Sequence, residues 1–146
     1  MAQTSLIVIA LCGFLPIFIK AKVVSPCAVA DIFMNKLHQK KANAANFACL
    51  AKYASGFNTQ AVGETHKDGS DDFGIFMIND KYCRKGTKTS CGVSCTDLVS
   101  DNIEHSATCA LAIMEKEGFS HWPEWKNCQH IPTLRFIDKC DVSPKG

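Results

Sequence analysis

The sequence predicts an α+β fold, a helical lobe beside one small antiparallel sheet, and three observations carry that expectation. Apolar residues recur at helical spacing before residue 55 and again after residue 101. Between residues 57 and 80 the period disappears, and turn residues adjoin β-formers. Runs of helix flanking one small sheet are the α+β pattern. The third observation is cysteine: of 9 in the chain, 8 (9 − 1) remain once Cys12 is set aside with the apolar start. An even set of this kind staples a fold in an oxidising compartment.

A chain of 146 residues with 47% hydrophobic content fits a single core. The stretch from Leu6 to Ile19 carries no charge, is interrupted by Gly13 and Pro16, and is short for a membrane span. Ala21 before Lys22 suits signal peptidase, so residues 1–21 read as a signal peptide and residues 22–146 as one domain. The alternative, an uncleaved anchor, rests on the lack of Lys or Arg from Met1 to Ser5. Cleavage implies a secreted, extracellular protein with no remaining membrane attachment, and a monomer is expected. Without Lys20 the balance is 15 basic against 14 acidic residues, a net +1 (15 − 14), which makes no case for nucleic acid. Lys81, Arg84, Lys85 and Lys88 form one basic cluster, read first as a solvated loop and second as an anionic-polymer contact.

Ser25 before Pro26 begins the first helix, since Ser caps and Pro tolerates the first helical position. Val29, Ile32, Phe33 and Leu37 form its stripe, and Lys40 with Lys41 suit the negative end of its dipole. Phe47, Leu50, Ala51 and Ala54 form a second helix that Gly56 terminates. Asp68 and Gly69 supply turn chemistry, and Phe73 to Ile78 is rich in β-formers. Asp101 with Glu104 resembles a capping box ahead of a third helix, whose stripe Ile103, Ala107, Ala110, Leu111 and Met114 stops at Gly118. From Trp122 to Cys128 a short helical segment is expected, with Pro123 confined to its first turn.

The motif Cys91-x3-Cys95-x2-Leu98-x3-Asn102-Ile103-x5-Cys109 resembles the c-type lysozyme and α-lactalbumin signature at every fixed position. The resemblance runs from Lys22 and Val23 through the stretch Ala51, Lys52, Tyr53, Ala54, Ser55, Gly56, Phe57, Asn58, Thr59, Gln60, Ala61 to Trp122 and Trp125. In detail it looks closest to the insect lysozyme-like proteins. It implies a lysozyme-like fold with four disulfides: Cys27 with Cys140, Cys49 with Cys128, Cys83 with Cys95, and Cys91 with Cys109. Spacing alone leaves the pairing open, and the close Cys91 and Cys95 with His105 nearby keep zinc as a rival that oxidised, exported thiols disfavour.

Retaining glycosidases use two carboxyl groups, one protonated for the leaving oxygen and one ionised, and lysozyme is the type case of that division. The resemblance places the acid at the end of the second helix, where this chain has Ala54, and the second carboxylate at Asp72 in the run Asp68, Gly69, Ser70, Asp71, Asp72, Phe73, Gly74. Glu64 and Asp71 are the carboxyls weighed as substitutes, and Asp71 is expected to face away from Asp72. Asp72, Asn79, Tyr82 and Trp122 are the candidate glycan contacts, against the plainer readings of turn residues and core aromatics. Met77 stands where the family commonly carries Gln, and Trp125 shares a helix face with Trp122. Asp97 and Asp101 offer oxygen to a cation, but His105 and Ser106 hold positions where calcium-binding relatives supply carboxylates, so no metal site and no cofactor is expected.

The reading favoured from sequence is a non-catalytic protein that binds peptidoglycan or related N-acetylglucosamine polymers and restrains bacteria. Weak or rescued muramidase activity, and a protein-interaction role as in α-lactalbumin or the sperm lysozyme-like proteins, stand beside it.

Overall fold

The computed structural model describes residues 22–143 and, apart from them, Gly13; the expected signal peptide at 1–21 otherwise lies outside the described residues. Among the described residues no helix is long and apolar enough to cross a membrane.

Helix α1, Pro26–Asp31, starts as the sequence implies: Ser25 Oγ accepts the Ala28 N–H at 3.1 Å and Pro26 takes the first position. It runs on as a π-helical turn, Ile32–Lys36. Helix α2 spans Lys41–Ser55 and ends on Gly56 at φ 61, a left-handed conformation that costs glycine little. Lys40 and Lys41 therefore do not complement the end of the first helix. They cap and begin the second, because His38 at φ 52 turns the chain back before them.

The sheet is a two-stranded antiparallel hairpin, β1 Asp72–Phe73 with β2 Ile78–Asn79, Asp72 opposite Asn79 and Phe73 opposite Ile78. The expected small sheet or hairpin is present, and within its stretch of β-formers from Phe73 to Ile78 only the two end residues are strand. Residues 74–77 make the reversal, and Ile75 and Phe76 are fully buried there. Burial of apolar side chains outweighs strand propensity at this point. Phe33 and Phe47 stack at 4.0 Å between centroids, and Phe76 meets both edge-on at 5.8 and 5.9 Å, so the hairpin tip is part of the helical core.

Helix α3, Cys95–Leu98, carries the capping box that was expected further on: Asp97 N–H donates to Ser94 Oγ, and Ser94 N–H donates to the Asp97 carboxylate. Helix α4, Glu104–Glu117, begins without a side-chain cap at Ile103 and stops at Gly118. Asp101 is thus not its cap. Its carboxylate is held instead by Lys22 Nζ at 3.1 Å and Gln60 Nε2 at 3.1 Å, which fastens the start of the domain to the loop after α2. Short 3-10 turns follow at Phe119–His121, Pro123–Asn127 and Thr133–Phe136.

The four disulfides pair as the resemblance implied: Cys27–Cys140, Cys49–Cys128, Cys83–Cys95 and Cys91–Cys109. The first spans 113 residues of sequence. Closing a loop of that size restricts the unfolded chain by about 4 to 5 kcal/mol in the chain-entropy model. Replacing Cys27 and Cys140 together by Ala should lower unfolding free energy by up to that amount, read from the denaturant midpoint. Non-reducing peptide mapping should recover all four pairs and no Cys83–Cys91 link.

Candidate functional site

The end of α2 meets the hairpin through one hydrogen bond, Ser55 Oγ donating to the Ile75 carbonyl at 2.7 Å. The hairpin in turn meets the segment after α4 where Trp122 Nε1 donates to the Phe76 carbonyl at 2.8 Å. Between hairpin and segment opens a cleft of about 280 Å³, with His66, Asp72, Met77, Asn79 and Lys81 on one side and His121, Trp122, Pro123 and Glu124 on the other.

Strand register assembles the first wall. Pairing of Asp72 with Asn79 places both side chains on one face, and Asn79 Nδ2 donates to Asp72 Oδ1 and to Ser70 Oγ, each at 3.0 Å. The other carboxylate oxygen, Asp72 Oδ2, lies 2.7 Å from His66 Nε2. The hydrogen bond to Asp72, then the Asp72 charge, raise the His66 pKa above its ordinary value of 6.5; the charges of Asp68 and Asp71 add to this and desolvation opposes it. The turn that brings His66 into place closes as expected around Gly69 at φ 82, with His66 N–H donating to the Ser70 carbonyl at 2.8 Å.

The second wall is braced from behind. His121 Nδ1 lies 2.8 Å from Glu117 Oε2, Tyr82 Oη donates to Glu117 Oε1 at 2.7 Å, and the Trp122 ring stands edge-on to His121 at 4.9 Å. The hydrogen bond from Tyr82 lowers the Glu117 pKa, with His121 adding to it, while burial and then Glu117 raise that of Tyr82.

Among the expected glycan contacts, Asp72, Asn79 and Trp122 come together and Tyr82 does not. Tyr82 is 3% exposed, commits its hydroxyl to Glu117 and packs against His121, so it supports the far wall rather than offering a ring to sugar. Trp122 is also 3% exposed and its N–H is spent on Phe76, so little of the indole is open to the cleft. Trp125 stacks on Phe119 at 4.4 Å. Ala54 sits partly exposed in the last turn of α2, one residue before the Ser55 anchor, and is not itself a wall of the cleft. Neither Glu64 nor Asp71 lines it; Asp71 accepts from Thr65 Oγ1 at 2.6 Å. The basic cluster separates: Arg84 pairs with the buried Asp80, whereas Lys81 reaches the cleft. The Asp97 and Asp101 carboxylates serve the α3 cap and Lys22, and the described residues bring no three His, Cys, Asp or Glu side chains together for a metal.

The model of the C-type lysozyme/alpha-lactalbumin family matches residues 22–140. The chain belongs to that family. It is 37% identical to Lysozyme 2 of Lucilia sericata over 124 residues, 82% of this chain and 85% of the relative. It is 45% identical to Lysozyme-like protein 4 of Mus musculus over 101 residues, 66% and 69% of the two. The fold matches the crystal structure of a lysozyme from Litopenaeus vannamei with a TM-score of 0.69 at 28% identity, covering 84% of this chain and all (100%) of that one.

For a member of this family, the residues that sequence reasoning missed are His66, His121 and Glu124. His121 and Glu124 flank Trp122 and Pro123 in sequence and share the wall with them, so adjacency to Trp122 was a usable signal. His66 lies six residues before Asp72, across the turn at Gly69, and no spacing rule points to it.

Two stability predictions follow from this geometry. Trp122→Phe should leave the buried Phe76 carbonyl without its donor and cost about 1 to 3 kcal/mol, measured by denaturant unfolding. Because the folded His66 pKa is raised, its pairing adds stability that is complete below 6.5 and lost as pH climbs through the raised value. The melting-temperature difference between the native protein and His66→Gln should therefore be largest near about pH 5 and close on the alkaline side.

Proposed function

We propose that this chain is a secreted, extracellular lysozyme-family protein that binds bacterial peptidoglycan or related N-acetylated glycans without cleaving them, and restrains bacterial growth as part of innate defence. One observation carries the reading: Ala54 stands where the family resemblance places the proton donor, while the cleft keeps Asp72, Asn79 and Trp122. General acid catalysis contributes about 10² to 10⁴ in rate. That is roughly 3 to 5 kcal/mol at about 1.4 kcal/mol per decade. Without the acid a leaving sugar oxygen departs as alkoxide or waits for water. A cleft is built from backbone and many side chains, so binding outlives the loss of one group.

Weak hydrolysis is the second reading, and Glu124 is what favours it, as a carboxyl on the wall opposite Asp72. The relatives named lysozyme from Lucilia sericata and Hyalophora cecropia support it.

Co-sedimentation with purified peptidoglycan and turbidity of a wall suspension separate these readings. The native protein should sediment with peptidoglycan in moderate salt and leave turbidity unchanged at every pH, and Asp72→Ala should weaken retention. Protein left in the supernatant would overturn the binding function and favour a protein-interaction role. Lysis that disappears in Glu124→Gln would establish hydrolysis instead.

A further inference from the structure

The retained carboxylate is not free. Asp72 Oδ1 accepts from Asn79 Nδ2 at 3.0 Å, and Oδ2 lies 2.7 Å from His66 Nε2 in an ion pair whose side chains are 22% and 51% exposed respectively. We propose that His66 is a positioning residue that fixes the orientation and cancels the charge of Asp72, and so blocks glycoside cleavage independently of Ala54. The inference rests on the reading that Asp72 is the second carboxylate of the family site and that the native chain does not hydrolyse glycan.

The argument is electrostatic. Glycosidic cleavage passes through an oxocarbenium-like state, and the ionised carboxylate stabilises its positive charge or attacks it. An imidazolium hydrogen-bonded to that carboxylate places a cation beside the developing cation and occupies the oxygen that would face it. The groups around His66 favour its charged form: Asp72 on β1 in contact, Asp68 and Asp71 from its own loop, against Lys67 beside it in sequence and Lys81 from the turn after β2. His121 and Glu124 face it across the cleft, with His121 already paired to Glu117.

Two protonation requirements then oppose each other. Cleavage needs a protonated acid over the leaving oxygen, which favours low pH, and an unneutralised Asp72, which needs His66 to lose its proton and favours high pH. Restoring the acid alone therefore leaves the two requirements pulling the pH optimum in opposite directions.

The test uses the full chain in four forms: native, Ala54→Glu, His66→Asn, and Ala54→Glu with His66→Asn. Asn keeps a neutral donor for Asp72 while removing the cation. Wall lysis is measured against pH, and peptidoglycan co-sedimentation is measured in parallel. Ala54→Glu alone should lyse slowly, with any activity confined to a narrow band, and the double variant should gain about tenfold or more with its optimum moved to lower pH. His66→Asn alone should stay inactive. Equal activity of Ala54→Glu and the double variant, including none in both, overturns the proposal. The His66 imidazole titration, followed by NMR in the native chain and in Asp72→Asn, should show a lower pKa once the carboxylate is gone; an unchanged value overturns it as well. Lysis by the native chain or failure to sediment instead counts against the proposed function, so the two failures are distinct.

Discussion

The cleft depends on a hairpin turn that is buried rather than exposed. Residues 74–77 reverse the chain inside the helical core, with Ile75 and Phe76 fully buried. Only glycine fits the first position, since Gly74 stands at φ 76 and a Cβ there would lie 1.9 Å from the Leu98 carbonyl oxygen. That close approach seats the hairpin against α3. Ser106 Oγ donates to the same Leu98 carbonyl at 3.1 Å, so α4 is tied to the contact as well. A turn normally exposes its backbone to water; this one distributes its carbonyls among protein donors, Ile75 to Ser55 and Phe76 to Trp122.

Those two hydrogen bonds convert a core feature into site geometry. One fixes the end of α2, with Ala54 adjoining, and the other fixes the Trp122 segment, each relative to the strands that carry Asp72 and Asn79. The described residues hold no buried side-chain polar atom without a partner. The polar framework of the site is thus satisfied internally, by contacts that do not involve the Ala54 side chain.

Periodicity and cysteine count made the helical lobe legible, because burying a stripe and closing disulfides leave regular traces in sequence. Strand propensity misled at Ile75 and Phe76, where the same apolar residues fill a core from a turn. The capping expectation failed at Asp101 because a long-range partner, Lys22, outcompeted the local helix terminus, while the true box at Ser94 and Asp97 lay one short helix earlier. At the site, Asp72, Asn79 and Trp122 were legible through resemblance. Tyr82 was misjudged because an aromatic beside a cysteine gives no sign of whether a carboxylate such as Glu117, thirty-five residues on, will draw its hydroxyl inward. His66 was invisible for the same reason: its meaning is a contact across a turn.

What a glycan meets in this cleft follows from what the protein has already used. Both Asp72 oxygens, the Asn79 amide hydrogens and the Trp122 N–H are engaged within the chain. The polar groups left on the walls are Lys81 and Glu124, with the ring nitrogen of His121 that Glu117 does not hold and the ring nitrogen of His66 that Asp72 does not hold. Flexible, solvated side chains lose rotamer freedom when they fix a sugar, and an indole only 3% exposed offers little stacking area. On the proposed glycan-binding function, affinity for a single short oligosaccharide is accordingly expected to be modest. A polymer that repeats its sugars many times reverses the balance, because a molecule leaving one site finds the next at high local concentration. On the proposed function, such a cleft would suit retention on an insoluble wall better than the capture of soluble fragments, and that retention would require no bond to be broken.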